Sequence, residues 1–115
     1  DGSAVRDFIF SEEVAHWMMV ALEKAPPCVP INLGSGVGRT IKEVAKTIAG
    51  LVPNQPEIEW DITKPSGDPI RIMNMDRAKE LLSFSPLIPL KTGLLKTIDW
   101  YINNKEFSNT RGRII

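Results

Sequence analysis

The segments of this chain that could form β-strands are few and short, and helical segments separate them. Apolar runs typical of strands lie at 5–10 and 29–33, and residues 57–62 alternate charged and apolar side chains. A short extended piece is also predicted at 70–74. This order of elements predicts an α/β fold class. A complete doubly wound sheet needs more strands than these, so the chain can supply only a small part of one.

The first predicted helix is unusually apolar. It is predicted at 12–24, with Ser11 as its N-cap and with Glu12 and Glu13 near the positive end of the helix dipole. Pro26 follows its end. Because its apolar side chains spread nearly all the way round, we expect this helix to need cover on more than one side.

The second predicted helix has the clearest start signal in the chain. Thr40 and Glu43 stand three residues apart before a periodic apolar run, which matches a capping box. This helix is expected to stop near Pro53. Two more helices are predicted, at 76–82 and from about 90 to 103, so the sequence predicts about four helices.

Composition gives no reason to expect several classes of partner. Fourteen Lys and Arg balance fourteen Asp and Glu, so no net charge favours nucleic acid or an anionic membrane. No apolar run approaches the ~20 residues of a membrane span, and no signal-peptide pattern opens the chain. Cys28 is the only cysteine, which excludes an internal disulfide. We therefore expect a cytoplasmic, soluble protein with no nucleic-acid or membrane partner.

Few side chains are candidates for catalysis. His16 is the only histidine and has no acidic or cysteine partner at ligand spacing, and Cys28 lies among prolines without an activating neighbour. Tyr101 and Lys105 have Tyr-x-x-x-Lys spacing, but they lie at the end of the last predicted helix with no cofactor loop before them. We interpret that spacing as coincidence, and we predict no catalytic residue and no metal site.

A glycine-rich segment, Gly-Ser-Gly-Val-Gly at 34–38, follows the predicted strand at 29–33. Backbone amides at such a turn can bind phosphate. However, the dinucleotide fingerprint needs a glycine where Arg39 stands, and the P-loop needs one where Leu33 stands. We interpret the segment as a strand-to-helix turn and predict that this chain binds no cofactor itself.

Three cations occur where local structure does not explain them. Arg6 lies in an apolar strand, Lys64 lies in a Pro- and Gly-rich loop at 63–69, and Arg71 follows that loop. Arginine binds phosphate oxygens in bidentate fashion and lysine acts as a point charge, so the trio suits a diphosphate. Taken singly, each cation is more typical of a surface ion pair, and both interpretations stand at this point.

Several segments resemble, in order, the extended short-chain dehydrogenases that act on nucleotide sugars. They are Arg-Asp-Phe-Ile-Phe-Ser-Glu-Glu-Val-Ala at 6–15, Pro-Ile-Asn-Leu-Gly-Ser-Gly at 30–36, and Lys-Pro-Ser-Gly-Asp-Pro-Ile-Arg at 64–71. The helix at 76–82 and the closing helix continue the likeness, which covers about residues 2–104. Within the family, the loop at 63–69 is most similar to the GDP-L-fucose synthases, whereas UDP-sugar epimerases more often carry arginine there.

The resemblance implies a fold and a set of binding residues. Residues 1–104 would be the small C-terminal substrate-binding lobe of a Rossmann-type enzyme, without a complete Rossmann sheet, and 105–115 would be a frayed tail. Arg6 and Lys64 would contact the diphosphate of a GDP- or UDP-sugar. Asp68 and Arg71 would belong to the nucleotide pocket.

The resemblance also implies what lies outside this chain. In the family, the cofactor loop and the catalytic residues lie in an upstream Rossmann half. By the same resemblance, the parent would be an NADP- or NAD-dependent epimerase, reductase or dehydratase, and it would be a homodimer. This chain alone would be inactive, and without that half the edge at 29–33 and the helix at 12–24 would be exposed. The alternative is a stand-alone protein-interaction or regulatory module that has kept the shape of the lobe.

Overall fold

The structure, a computed structural model, describes residues 1–105 and contains four helices and three short strands in that part of the chain. In chain order the elements are β1 (Val5–Asp7), α1 (Ser11–Lys24), β2 (Gly38–Thr40), α2 (Ile41–Leu51), β3 (Ile70–Arg71), α3 (Asp76–Leu82) and α4 (Leu90–Asn103). The predicted α/β class with about four helices is confirmed. The tail predicted at 105–115 lies, apart from Lys105, outside the described residues.

The three strands form one small mixed sheet with β1 in the middle. The strand order is β2-β1-β3, and β1 is antiparallel to β2 and parallel to β3. The backbone N–H of Val5 also donates to Pro69 O at 2.8 Å, which joins β1 to the end of the loop that precedes β3. Because side chains alternate between faces along a strand, neighbouring residues of β1 serve opposite sides of this sheet.

The predicted strand at 29–33 is wrong. The strand after α1 is instead β2, in residues that the sequence assigned to the glycine turn and the helix start. A strand requires a hydrogen-bonded neighbour, and none of the strands in residues 1–105 lies beside 29–33. This segment is fixed by side chains: Arg77 Nη1 donates to Pro30 O at 2.6 Å, and Asn32 Nδ2 donates to Asn74 O at 3.2 Å.

The predicted strand at 57–62 is also wrong, and β1 ends three residues earlier than its pattern predicts. The indole ring of Trp60 lies against Gly2, which has a φ of 75° and no room for a side chain. Asp61 Oδ1 accepts hydrogen bonds from the backbone N–H of Thr63 at 3.0 Å and from its hydroxyl at 2.6 Å. Packing and a local turn therefore replace strand pairing here.

The predicted capping box of α2 is confirmed. The N–H of Glu43 donates to Thr40 Oγ1 at 3.0 Å, and the N–H of Thr40 donates to Glu43 Oε2 at 2.9 Å. The predicted cap of α1 is wrong, because Ser11 is the first helical residue and Phe10 occupies the cap position without a side-chain hydrogen bond. The last two helices span the residues predicted for them.

Glu13, in the first turn of α1, also joins this helix to a later part of the chain. Glu13 is only 3% exposed, and its carboxylate accepts hydrogen bonds from the backbone N–H groups of Leu87 at 2.5 Å and Ile88 at 3.2 Å. Because a buried carboxylate requires such partners, this contact fixes the segment before α4 against α1.

The main hydrophobic core lies between α1 and α3. It consists of Trp17, Met75, Ala78, Leu82 and Phe84. Ser83, with a φ of 56°, ends α3 in the left-handed conformation, and Phe84 N–H then donates to Ala78 O at 3.2 Å. This Schellman-type closure directs Phe84 toward Trp17, and their ring centroids are 4.8 Å apart.

Helix α1 leaves much of its apolar surface uncovered. Met18, Met19 and Leu22 are 58%, 62% and 80% exposed. Their surface continues into a groove of about 360 Å³ that also includes Val29 and Ile31. The expectation that this helix would be exposed without further protein is confirmed. Of the helices in residues 1–105, none is both long enough and apolar enough to cross a membrane.

Replacing Leu82 tests the location of the core. Leu82→Ala should lower the free energy of unfolding by about 3 kcal/mol, because it removes a side chain that is 1% exposed and leaves a cavity. Urea denaturation followed by circular dichroism measures the change. Leu87→Ala is the matched control, since Leu87 is 63% exposed, and its expected effect is below about 0.5 kcal/mol. Equal losses in the two variants would contradict this description of the core.

Candidate phosphate-binding site

Arg6 lies at the centre of the candidate site because β1 is the central strand. Its Nη1 donates to its neighbour's carbonyl, Val5 O, at 2.7 Å and to Asp68 O at 2.8 Å. The second bond joins the strand to the loop at 63–69. A guanidinium has five N–H donors, so these two carbonyls fix its position and leave other donors available. No carboxylate lies within ion-pair distance of Arg6 in residues 1–105.

The loop at 63–69 turns sharply where it meets Arg6. Gly67 has a φ of 70°, a conformation that favours glycine, and a Cβ at this position would lie 3.6 Å from Arg6 Nη2. Asp68 follows, and its carboxylate lies 3.8 Å from Arg71 Nη2. Both of these side chains are about 70% exposed, so this pair contributes little to stability and mainly orients Arg71.

The strand register brings a third arginine to the site. In the β1–β3 pair Arg6 lies opposite Arg71, and in the β1–β2 pair it lies opposite Arg39. Residues directly opposite each other share a face of the sheet, so the three arginine side chains leave the sheet on one face. The sequence did not identify Arg39 as a site residue, because its segment reads as a glycine turn and the antiparallel register cannot be read from spacing.

Lys64 lies on the same loop but is separate from the arginines. It is exposed, and its backbone N–H donates to Asp61 O at 3.4 Å. In the described part of the chain its ammonium group forms no hydrogen bond or ion pair with protein. The structure therefore brings Arg6, Asp68 and Arg71 together and leaves Lys64 in the adjoining loop.

Asp7, the neighbour of Arg6, points to the opposite face and holds the glycine-rich segment. Its carboxylate accepts hydrogen bonds from Ser35 N at 2.7 Å, Ser35 Oγ at 2.6 Å, Gly36 N at 2.9 Å and Met73 N at 3.3 Å. Partial burial alone would raise the pKa of Asp7. The bonds from Ser35, Gly36 and Met73 outweigh this effect and hold the pKa below its ordinary value.

This contact bears on whether the glycine-rich segment could hold a cofactor phosphate. The amides of Ser35 and Gly36 donate to a carboxylate of the protein itself, so they are not free for an external anion. The helix that follows starts at Ile41 with Thr40 as its cap, after the intervening strand β2. The described segment therefore does not fit a dinucleotide phosphate.

The remaining candidates do not join this site. Tyr101 and Lys105 line a largely apolar groove of about 740 Å³ between α2 and α4, and none of the four predicted site residues lines it. His16 is exposed, and its ring lies edge-on to that of Trp17 with the ring centroids 5.3 Å apart. Cys28 is an exposed free thiol. Within residues 1–105 no three His, Cys, Asp or Glu side chains are grouped as metal ligands would be.

Comparison with known proteins relates the chain to nucleotide-sugar enzymes. No family model matches it. It is 33% identical over 103 residues to the probable GDP-L-fucose synthase 1 of Oryza sativa subsp. japonica. The match covers 90% of this chain and 31% of that protein. Two solved structures share the fold. The Bordetella bronchiseptica enzyme WbmF in complex with NADH has a TM-score of 0.80 at 29% identity, covering 95% of this chain and 32% of that one. The Thermotoga maritima UDP-glucose 4-epimerase with UDP-glucose has a TM-score of 0.81 at 26% identity, covering 90% and 33%.

The chain spans about one third of the length of these relatives. Its likeness to them nevertheless extends over at least nine-tenths of its own length. The predicted family resemblance is thereby confirmed.

The Asp7 contact makes stability depend on pH. Since the pKa of Asp7 is lower in the folded than in the unfolded chain, its contribution is complete above about pH 5 and is lost as the pH falls below about 4. Asp7→Asn should lower the free energy of unfolding at pH 7 by about 1 kcal/mol, a modest value because the carboxylate is only partly buried. The variant should also lose less stability than the native chain between pH 5 and pH 3.

Thermal unfolding at several pH values measures both effects. Glu57→Gln is the matched control, because Glu57 is exposed and has no partner in residues 1–105, and it should behave like the native chain. An Asp7→Asn variant whose pH profile matches that of the control would show that the carboxylate does not hold the glycine-rich segment.

Proposed function

We propose that the chain, which is similar over about nine-tenths of its length to nucleotide-sugar enzymes of the extended short-chain dehydrogenase/reductase type, is the substrate-binding lobe of such an enzyme. The parent would be an epimerase, reductase or dehydratase similar to the GDP-L-fucose synthases. The lobe binds the diphosphate of the substrate, and the chemistry occurs on the cofactor-binding part of the parent protein.

The observation that carries this proposal is the way in which Arg6 is held. Two backbone carbonyls fix its guanidinium at the junction of the central strand and the loop at 63–69, and no carboxylate neutralises it in the described residues. A fixed, uncompensated guanidinium suits bidentate binding of a phosphate. Lys64, on the same loop, adds a second charge for the diphosphate.

Asp68 and Arg71 have supporting roles in this proposal. The carbonyl of Asp68 holds Arg6 and its carboxylate pairs with Arg71, so Asp68 positions two arginines instead of meeting the anion itself. Arg71, which remains 73% exposed, contacts the nucleotide next to the diphosphate. We propose that Lys64 favours a GDP-sugar over a UDP-sugar, because its loop at 63–69 resembles that of the GDP-L-fucose synthases.

Binding the diphosphate serves catalysis at a distance. The phosphates do not react, so the energy of holding them can be used to orient the sugar toward catalytic groups elsewhere. NADP or NAD, bound by the Rossmann part of the parent, would supply the hydride chemistry. Residues of this lobe bind and orient the substrate, and they exchange no proton or hydride with it.

The exposed apolar surface indicates where that other part packs. Met18, Met19 and Leu22 leave α1 uncovered on one side, and the segment at 29–33 lies beside them without a strand neighbour in the described chain. Apolar patches of this kind are typical of surfaces that other protein covers. We propose that the Rossmann half covers them in the parent, which would work as a homodimer in the cytoplasm.

Calorimetry with GDP tests the diphosphate role. The chain should bind GDP at low ionic strength, and Arg6→Ala and Lys64→Ala should each weaken binding about tenfold or more, since each removes a charge-assisted contact. Lys46→Ala, which removes an exposed cation of α2, is the control and should bind like the native chain. Unchanged affinity in both site variants would remove this role. A chain without nucleotide affinity but with a specific protein partner would favour the stand-alone interaction module.

A further inference from the structure

We propose that Arg39 is a further phosphate-binding residue of this site: in the row Arg39–Arg6–Arg71, Arg6 binds one phosphate of a diphosphate, Arg39 binds the other, and Arg71 contacts the nucleotide. This inference rests on the proposed function. It adds a residue that neither a phosphate motif nor the loop at 63–69 identifies. The register of the three strands supports this inference.

The register fixes where Arg39 lies. Arg6 is opposite Arg39 in the antiparallel pair and opposite Arg71 in the parallel pair. Neighbouring strands lie about 5 Å apart, so the row spans only about 10 Å from the first to the last Cα. Side chains as long as arginine can converge over that distance on one small anion. The residues next to Arg6 on β1, Val5 and Asp7, point to the other face.

This row is costly for the fold in the absence of a ligand. Like charges directly opposite each other in a sheet are destabilising. The three guanidiniums share one carboxylate within ion-pair distance in residues 1–105, that of Asp68, which leaves two positive charges without a partner. Nothing in the packing requires a cation at position 39, because its side chain is exposed. A bound anion would remove the repulsion.

The three arginines differ in how they are held, and this difference assigns their roles. Arg6 bonds to two carbonyls and Arg71 pairs with Asp68, whereas the Arg39 guanidinium has no hydrogen bond or ion pair with protein in the described residues. Arg39 is therefore the one guanidinium of the row with all five donors available. It lies on the side of Arg6 away from the loop at 63–69, so it extends the site beyond the first phosphate.

The experiment compares GDP with GMP on the whole 115-residue chain by calorimetry. If Arg39 binds the second phosphate, Arg39→Ala should weaken GDP binding about tenfold and change GMP binding by less than about twofold. Arg39→Lys should recover part of the GDP affinity, because lysine keeps the charge but loses the bidentate geometry. Lys42→Ala makes the same change of charge on the exposed first turn of α2 and is the matched control.

Thermal unfolding of the same variants without ligand shows whether they fold. Arg39→Ala should be as stable as the native chain or more stable at low salt, since it removes like-charge repulsion. Native GDP affinity in Arg39→Ala, with weaker binding in Arg6→Ala, would overturn this inference and leave the proposed function intact. Equal losses in Arg39→Ala and Lys42→Ala would also overturn it, because they would indicate general attraction by positive charge. A native chain that does not bind GDP would overturn both proposals.

Discussion

The alternation of two neighbouring side chains on β1 organises this molecule. Arg6 points to one face of the sheet, where it joins the loop at 63–69 through Asp68 O. Asp7 points to the other face, where its carboxylate accepts hydrogen bonds from the glycine-rich segment and from Met73, which lies between β3 and α3. One strand of three residues therefore fixes an arginine-bearing face and a structural face together.

These two faces explain why the glycine-rich segment is structural and the arginine face is available. The amides that could bind an anion are already used by Asp7, whereas the guanidiniums opposite them are mostly without carboxylate partners in the described chain. The uncovered side of α1 adds a third surface, which is apolar and faces solvent. These surfaces are compatible with the proposed role, in which the chain binds one end of a substrate and packs against a larger protein.

The sequence predicts those parts of the structure that depend on local chemistry. The Thr40–Glu43 capping box and the helices at 76–82 and 90–103 depend on neighbouring residues, so their patterns suffice. Strands depend on partners elsewhere in the chain, and the prediction fails at 29–33, where no strand of residues 1–105 pairs with the apolar run. Arg6 and Lys64 stand out in the sequence as cations that local structure does not explain, and the family resemblance then gives them a role. Arg39 does not stand out in this way, because its position beside Arg6 follows only from an antiparallel register.

Amide chemical-shift mapping with GDP tests the central claim most directly. In ¹⁵N-labelled chain, the largest changes on adding GDP should cluster at residues 5–7, 38–40 and 64–71, which border the arginine face. Changes confined to the groove between α2 and α4, or their complete absence at saturating GDP, would contradict the account.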